Sequence, residues 1–336
     1  KLALAVNGEI YNHKDIRARY AGKYQFLTES ESEVILALYR DKRPDRLEAA
    51  YRALEEDGLL AQLTLIQATP AQLTWIARVH SPKHIYRFEE ACLLELGELD
   101  HPDNEICKDS YDVALLAVGG ILKTIDLIME GTLDNAFCAV RPPGHHAEKS
   151  SFGGFCYFNN AAIAAHYLSG YGKVAILDLD YHHGNGQQDI FYNRSDVLTI
   201  SIHADPDYEY PYFSGFSDED GEGSGTGYNI NFPLPEKTDG TVYLRALKKG
   251  IKAVEKFAPD FLIIALGLDT AKGDPSGKWN LLKDDFFENG RLIGSLDKRI
   301  LVTQEGGYDS RVLGINAFSF FKGLYTGKYG SKFYHK

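Results

Sequence analysis

Short apolar runs that end in Gly, Asp or His are the feature that most constrains the fold of this chain. They are rich in β-branched residues, show no alternation with polar residues, and recur between segments of helical period. Strands with this pattern are buried on both faces, as in parallel sheets covered by helices. The six predicted strands are Leu2–Val6, Ala136–Val140, Val174–Asp180, Val197–His203, Phe261–Asp269 and Ile300–Glu305.

Between these strands, apolar residues recur at helical spacing. The clearest predicted helices are Arg46–Glu56, Tyr111–Met129, Asn160–Leu168, Thr241–Phe257 and Leu281–Ser295. The alternation predicts an α/β fold in which a mainly parallel β-sheet is flanked by helices on both faces. Ligands of such folds bind beyond the carboxyl ends of the strands, so we expect functional side chains in the loops that follow them.

Charge and hydropathy exclude several classes of protein. The 336 residues include 36 Lys and Arg against 47 Asp and Glu, which makes the net charge −11. That charge disfavours binding to nucleic acid and favours binding to cations such as polyamines or lysine-rich tails. A simpler interpretation is that the charge only keeps the protein soluble. No apolar run is long enough to span a membrane, and the four cysteines have no CxxC spacing. We therefore expect a cytoplasmic protein that binds neither nucleic acid nor a membrane.

Two strand ends carry candidate metal ligands. Alternation places Asp178, Asp180 and His182 on one side of an extended segment, and Asp269 ends another apolar strand,. Ionisable groups at the end of a buried strand are costly unless they are paired or bind a metal, with helix capping as the alternative role. Asp180, His182 and Asp269 would form a three-ligand site for zinc or another borderline divalent metal, which leaves one position for water and substrate.

Two further strand ends carry groups that suit proton transfer. His145 and His146 follow a rigid Pro-Pro-Gly turn, and imidazole exchanges its proton near neutral pH,. Both histidines could instead be metal ligands. A Gly-Gly turn presents Tyr308, whose phenol can donate a hydrogen bond to a developing oxyanion,.

Together these strings resemble the histone deacetylase family, and within it the bacterial acetylpolyamine amidohydrolases. The resemblance extends over about Arg43 to Leu324. The segments that carry it are Arg43–Leu47, Arg141–His146, Gly153–Asn160, Asp178–Gly186, Leu266–Pro275 and Glu305–Tyr308. The family implies one α/β domain of the arginase/deacetylase type over residues 43–336. The activity it implies is hydrolysis of the amide bond that joins an acyl group to an amine.

The resemblance also implies roles for single residues. One catalytic Zn²⁺ would be held by Asp180, His182 and Asp269. The other catalytic residues would be the acid–base pair His145 and His146, Asp178 to orient His145, Asn185 to contact His146, and Tyr308 to polarise the substrate carbonyl.

The family further implies a substrate tunnel and a second cation. Phe155, with Tyr212 or Phe213, would line an acyl-lysine-sized tunnel, and the backbone of Gly154 would meet the substrate amide. A structural K⁺ would contact Asp178 and Ser201, together with the backbone carbonyls of Asp180, His182 and Ile202.

The choice of substrate stays open between two acetylated amines. The segments His203–Pro206 and Tyr210–Phe216 resemble the polyamine-deacetylating branch. Against it, Pro102–Tyr111 is short for the insertion of the bacterial polyamine enzymes, and Ser276 stands where some of them place a glutamate. The expected partner is therefore a small cationic acetylated amine or an acetyl-lysine peptide, and a homo-oligomer is compatible with the sequence. A catalytically impaired module that binds acyl-lysine or polyamine is the alternative function.

The first 42 residues do not resemble this family. The strings Leu4–His13 and Ser30–Tyr39 are similar to part of the glutaminase domain of asparagine synthetases, but the chain begins with Lys1 where that activity needs a cysteine. We therefore expect no glutaminase activity. Residues 1–42 are predicted to be a segment and not an independent domain, with Leu2–Val6 as a strand and Ser32–Tyr39 as a helix.

Overall fold

A computed structural model of the protein describes residues 2–6, 45–56 and 63–330. Ten strands occur in this part of the chain: β1 (Leu2–Val6), β2 (Thr64–Gln67), β3 (Glu98–Leu99), β4 (His101–Glu105), β5 (Asn135–Ala139), β6 (Val174–Asp178), β7 (Val197–Ala204), β8 (Asn229–Leu234), β9 (Phe261–Leu266) and β10 (Arg299–Gln304). Eight of them form one sheet in the order β2-β1-β5-β10-β9-β6-β7-β8, while β3 and β4 form a separate antiparallel pair. Every neighbouring pair in the large sheet is parallel.

Helices connect the strands and cover the sheet. They are α1 (Asp45–Glu56), α2 (Leu73–Ile76), α3 (Pro82–Leu93), α4 (Ser110–Met129), α5 (Asn160–Leu168), α6 (Asn185–Phe191), α7 (Gly240–Phe257), α8 (Lys283–Gly294) and α9 (Ser310–Tyr329). Among the described helices, none combines the length and the apolar character needed to cross a lipid bilayer.

The sheet is buried on both faces. In β5, Ala136 and Cys138 pack into the hydrophobic cluster that contains residues of α4 and α5, whereas Phe137 and Ala139 pack into the cluster that contains residues of α7, α8 and α9. Two apolar faces require strands without polar alternation, which is the pattern that the sequence shows. The predicted α/β fold with a parallel sheet between two helical layers is confirmed.

All six predicted strands and all five predicted helices are present, with ends shifted by up to three residues. The elements that periodicity missed have weaker signals. In β8, Asn229 and Asn231 interrupt the apolar pattern because their amides bind Gln188. Predicted strands Val174–Asp180 and Phe261–Asp269 end earlier, at Asp178 and Leu266, so Asp180 and Asp269 lie in loops.

The start of the chain belongs to the same sheet. The backbone of β1 pairs with β2 on one side and with β5 on the other, which confirms the predicted strand. Helix α1 packs through Ala50 and Leu54 into the cluster that holds Leu313 and Ala317 of α9. The predicted helix Ser32–Tyr39 and the predicted boundary after residue 42 lie outside the described residues.

Candidate active site

Four neighbouring strands bring the candidate residues together. Strands β5, β10, β9 and β6 are adjacent in the sheet and parallel, so their carboxyl ends open at one edge. The loops after them carry the His-His pair, the Gly-Gly-Tyr turn, Asp269 and the Asp-x-His motif. Residues more than 100 positions apart therefore share one pocket.

Asp180, His182 and Asp269 form a compact set of ligand atoms. Each of them offers one ligand atom within 4.8 Å of the other two. His182 Nδ1 lies 3.3 Å from Asp180 Oδ1 and 3.4 Å from Asp269 Oδ2. Both carboxylates are buried, and His182 is partly exposed. The geometry brings the three predicted ligands together.

The carboxylates are held so that an oxygen is left for a cation. Backbone amides of Gly306 and Tyr181 donate to Asp180 Oδ2 and Asp269 Oδ1, at 2.7 and 3.1 Å. Asp269 Oδ2 is buried and has no hydrogen-bond partner among the described residues. A Cβ on Gly306 would lie 2.2 Å from this oxygen, so only glycine keeps the space beside it open.

The charges in this pocket also favour a cation. Burial and the neighbouring Asp180 charge raise the pKa of Asp269 to about 7. Two adjacent buried carboxylates need a positive partner, and an oxygen-nitrogen donor set of this kind suits a borderline divalent metal,. The residues present fit the predicted metal site.

The His145 ring contacts a buried carboxylate. Its Nδ1 lies 3.0 Å from Asp178 Oδ2, and Gln187 Nε2 donates to the same oxygen. Burial alone would lower the pKa of His145, but the Asp180 and Asp178 carboxylates outweigh it and raise this pKa to about 10. Asp178 therefore fixes the ring and favours its protonated form.

His146 has a neutral partner instead. Its Nδ1 lies 2.7 Å from Asn185 Oδ1, and its ring centroid lies 3.9 Å from that of His145. Burial, followed by the positive charge on His145, lowers the pKa of His146 well below its usual value. Two adjacent imidazoles with pKa values displaced in opposite directions can exchange protons with one substrate in complementary roles.

The loop after the histidines forms a wall of the site. Gly154 has φ +53°, and a Cβ there would lie 2.1 Å from His146 Cδ2, so the backbone approaches the imidazole closely. Phe155 has φ +65° and is 43% exposed. Its ring lies 6.0 Å from the ring of Tyr308, whose backbone N donates to Asp274 Oδ2. Gly154 thus lies against the His146 ring, and Phe155 lies beside Tyr308.

The two aromatic residues predicted as alternatives to line the tunnel with Phe155 lie at the surface. Tyr212 and Phe213 are 59% and 65% exposed. Nearer the histidines is Tyr210, whose ring centroid lies 4.8 Å from that of His146 and 6.4 Å from that of His182. No role for Tyr210 was predicted from the sequence, because several other residues of the segment Tyr210–Phe216 are also aromatic. The roles of Tyr212 and Phe213 stay predictions.

The residues predicted for K⁺ are neighbours as well. Asp178 and Ser201 are paired residues on β6 and β7. Ser201 Oγ lies 2.8 Å from His203 Nδ1 and accepts from Gly184 N at 3.5 Å. Their proximity agrees with the expected arrangement, and the ion itself stays a prediction.

Glu305 is a buried residue to which the sequence analysis gave no role. Its Oε2 accepts from the backbone amides of Gly144 and His145, at 2.7 and 3.2 Å, so it fixes the turn that presents the His-His pair. With His145 and Cys156 it forms a second set of ligand atoms within 4.8 Å. Burial raises the pKa of the Cys156 thiol well above its usual value, and Glu305 is already bound by amides, which disfavours a metal there,.

Comparison with known proteins identifies the family of this chain. The model of the histone deacetylase domain matches residues 40–324, and that of a glutamine amidotransferase domain matches residues 1–51. The chain is 50% identical over 243 residues to acetylpolyamine amidohydrolase 2 of Pseudomonas aeruginosa, a match that covers 69% of this chain and 71% of that protein. It is 39% identical over 224 residues to acetylpolyamine amidohydrolase of Mycoplana ramosa, with 66% of this chain and 65% of that protein covered.

Solved structures show the same relationship. The crystal structure of acetylpolyamine aminohydrolase from Burkholderia pseudomallei superposes with a TM-score of 0.79 and 32% identity, covering 84% of this chain and 91% of that one. The structure of the HDA15 HD domain gives a TM-score of 0.79 and 34% identity, with 84% of each chain covered. The amidotransferase match concerns only a short segment at the start. The chain therefore belongs to the histone deacetylase family and is a hydrolytic deacetylase.

Proposed function

We propose that this chain is a zinc-dependent amidohydrolase that removes the acetyl group from a small cationic acetylated amine, an acetylpolyamine in the first place. The observation that carries the proposal is the meeting of Asp180, His182 and Asp269 with the His145–His146 pair in one pocket. The identities to acetylpolyamine amidohydrolases and the net charge of −11 support a cationic substrate.

The three ligands would hold Zn²⁺. When bound, it would polarise the amide carbonyl as a Lewis acid and acidify water at the site. Carboxylate oxygens and an imidazole nitrogen are ordinary zinc donors, and three protein ligands leave a position for substrate. Asp269 Oδ2 supports this assignment, since it is buried, accepts no hydrogen bond among the described residues and lies 3.4 Å from His182 Nδ1, a second predicted ligand.

The chain's own residues perform the proton transfers. The His145–His146 pair takes a proton from the attacking water and returns one to the nitrogen of the leaving amine, since an amide ion is a very poor leaving group. Asp178 and Asn185 hold the two rings, and Tyr308 donates its phenol hydrogen to the carbonyl oxygen as negative charge develops there. The products are acetate and the free amine.

Two structural assignments accompany this function. A K⁺ would lie beside Asp178 and Ser201 and would stabilise the loop that carries the zinc ligands.

Residues 43–336 would form the catalytic domain, with residues 1–42 a segment that does not fold alone. The pairing of β1 between β2 and β5 supports that dependence.

Turnover by the zinc-loaded protein tests the proposal. N8-acetylspermidine and acetylputrescine are compared with an acetyl-lysine peptide, with and without a hydroxamate chelator, and Asp269→Asn serves as the variant that loses a ligand. Chelator-sensitive turnover that favours polyamines supports the proposal. Preference for the peptide would keep the chemistry and change the substrate to protein lysine. Zinc binding without turnover on any of the three would favour the impaired acyl-lysine- or polyamine-binding module.

A further inference from the structure

A hydrogen-bonded chain extends from His146 to a carboxylate that has no assigned role. Asn185 Oδ1 lies 2.7 Å from His146 Nδ1, and Asn185 Nδ2 donates to Glu148 Oε1 at 2.8 Å. Asn185 is buried and Glu148 is half-buried. The imidazole is thus connected to a negative charge through one intervening amide.

The intervening amide can be oriented in two ways. An asparagine side chain presents an acceptor oxygen or a donor NH₂ group, and only its neighbours decide which end faces which partner. Asn185 Nδ2 donates to Glu148 Oε1 at 2.8 Å and, in a longer contact, to His146 O at 3.4 Å. The shorter bond, to a carboxylate that can only accept, selects the NH₂ end and leaves Oδ1 for the His146 ring. Because Oδ1 only accepts, His146 must carry a proton on Nδ1, and its Nε2 is left for the reaction.

We propose that Glu148 is a positioning residue that fixes the Asn185 amide and, through it, the tautomer of His146. This inference rests on the proposed function, in which His146 transfers a proton. Its counterpart is the contact of His145 with Asp178, where the carboxylate touches the imidazole directly. At His146 the carboxylate stands one residue farther away and acts on the ring through the amide.

Glu148 is itself held firmly enough for this role. Its backbone N donates to Ser151 O at 3.1 Å, and its backbone O lies 2.9 Å from His80 Nδ1. Its side chain is half-buried, and its Oε1 accepts from Asn185 Nδ2. A half-buried carboxylate on a main chain held at both its N and its O can impose an orientation on Asn185 and does not simply follow it.

The first test separates the hydrogen bond from the charge. Glu148→Ala removes the acceptor and should lower kcat about 10- to 100-fold, with KM within about twofold, the range expected when a supporting partner of an active-site histidine is lost. Glu148→Gln keeps an oxygen for Asn185 Nδ2 and should recover most of that loss. Asp189→Asn is the matched control, since Asp189 binds the backbone of Lys149 on the same loop and should leave kcat unchanged.

A double-mutant cycle then tests the route. In an Asn185→Ala background, Glu148→Ala should cause no further loss of kcat, because the connection to His146 is already broken. An undiminished loss in that background, or an effect on KM alone, would overturn the proposal and indicate a direct contact of Glu148 with the substrate.

A spectroscopic readout keeps the inference testable without turnover. In zinc-loaded protein labelled with ¹⁵N-histidine, the Nδ1–H signal of His146, identified by its loss in His146→Gln, should be slow to exchange with solvent. It should exchange faster or vanish in Glu148→Ala and persist in Glu148→Gln. An unchanged signal in Glu148→Ala would refute the positioning role, whether or not the protein hydrolyses acetylated amines. Absence of turnover in the parent protein with the expected signals would refute only the proposed function.

Discussion

Asn104 on β4 binds the backbone of Phe155 and of the next residue, Cys156. The fully buried Asn104 side chain accepts from Phe155 N and donates to Cys156 O, both at 3.1 Å. Phe155 has φ +65°, a conformation that bulky L-residues rarely adopt,. The amide from β4 therefore stabilises a strained aromatic residue at the mouth of the site.

Asn104→Ala should release this strain and misplace the Phe155 ring. Cys156 O, which is buried, and Phe155 N, which is partly buried, would lose their partner, and this should lower the free energy of unfolding by about 2 kcal/mol,. We expect KM for the acetylated amine to rise about fivefold to tenfold with zinc content unchanged, a range set by the loss of about 1 kcal/mol of substrate contact. Urea unfolding and steady-state kinetics measure the two effects. Glu98→Gln, an exposed change in the same hairpin, is the control, and equal KM values in both variants would contradict the role of Asn104.

Tyr308→Phe should lower kcat about 100-fold, because one donor to the developing oxyanion is lost. The zinc content should stay at the parent value, since the predicted ligands are Asp180, His182 and Asp269. Metal analysis and initial rates on the same preparation provide the comparison. Tyr86→Phe removes a phenol from the exposed face of α3 and should leave the rate unchanged. Parent-like turnover in Tyr308→Phe would remove that residue from the reaction.

Removing the metal should destabilise the protein, because the Asp180 and Asp269 carboxylates would lose their counter-ion. Asp269→Asn should bind zinc poorly, yet its metal-free form should melt at a higher temperature than the metal-free parent protein. One buried charge is absent in the variant, and an uncompensated buried charge costs several kcal/mol. Melting curves with zinc and with EDTA measure both effects. A zinc-independent melting temperature in the parent protein would be inconsistent with a metal site at these residues.

Acid should destabilise the fold through two histidines away from the metal ligands. Burial lowers the pKa of His80 to about 3 and that of His84 to about 4, against about 6.5 for unfolded histidine,. The unfolded chain therefore binds more protons than the folded one below pH 6.5, and stability is lost as the pH falls towards 4. His80 is fixed in its neutral form, since its Nε2 accepts from Asn159 N.

His84→Gln isolates one of these contributions. A glutamine is neutral at every pH and can still donate to Tyr157 O, the partner of His84 Nε2. We expect the loss of unfolding free energy between pH 7.5 and pH 5 to be smaller by about 2 kcal/mol in the variant. Urea titrations at the two pH values measure it. An identical pH dependence in both proteins would mean that His84 is protonated in the folded state.

Local sequence pattern was enough to predict the parallel sheet and the strand ends that carry the candidate residues. Unbroken apolar strands can only be buried on both faces, so the parallel sheet followed from local pattern. Asp180 and His182 are two residues apart, and His145 and His146 are adjacent. The members of each pair are therefore close in space without any long-range contact. Asp269 and Tyr308 follow two other strands of the sheet. Because parallel strands end at one edge, their proximity to the first pairs could be predicted as well.

Only the tertiary structure decided which polar groups support these residues. Asn104 meets Phe155 across 51 positions, Asn185 meets Glu148 across 37, and Glu305 meets Gly144 across 161. A hydrogen bond forms between whichever donor and acceptor the packing of separate elements brings within about 3 Å, and neither spacing nor periodicity encodes that distance. The sequence therefore predicted the candidate residues, while the folded chain set the orientation of their side chains and the charges around them.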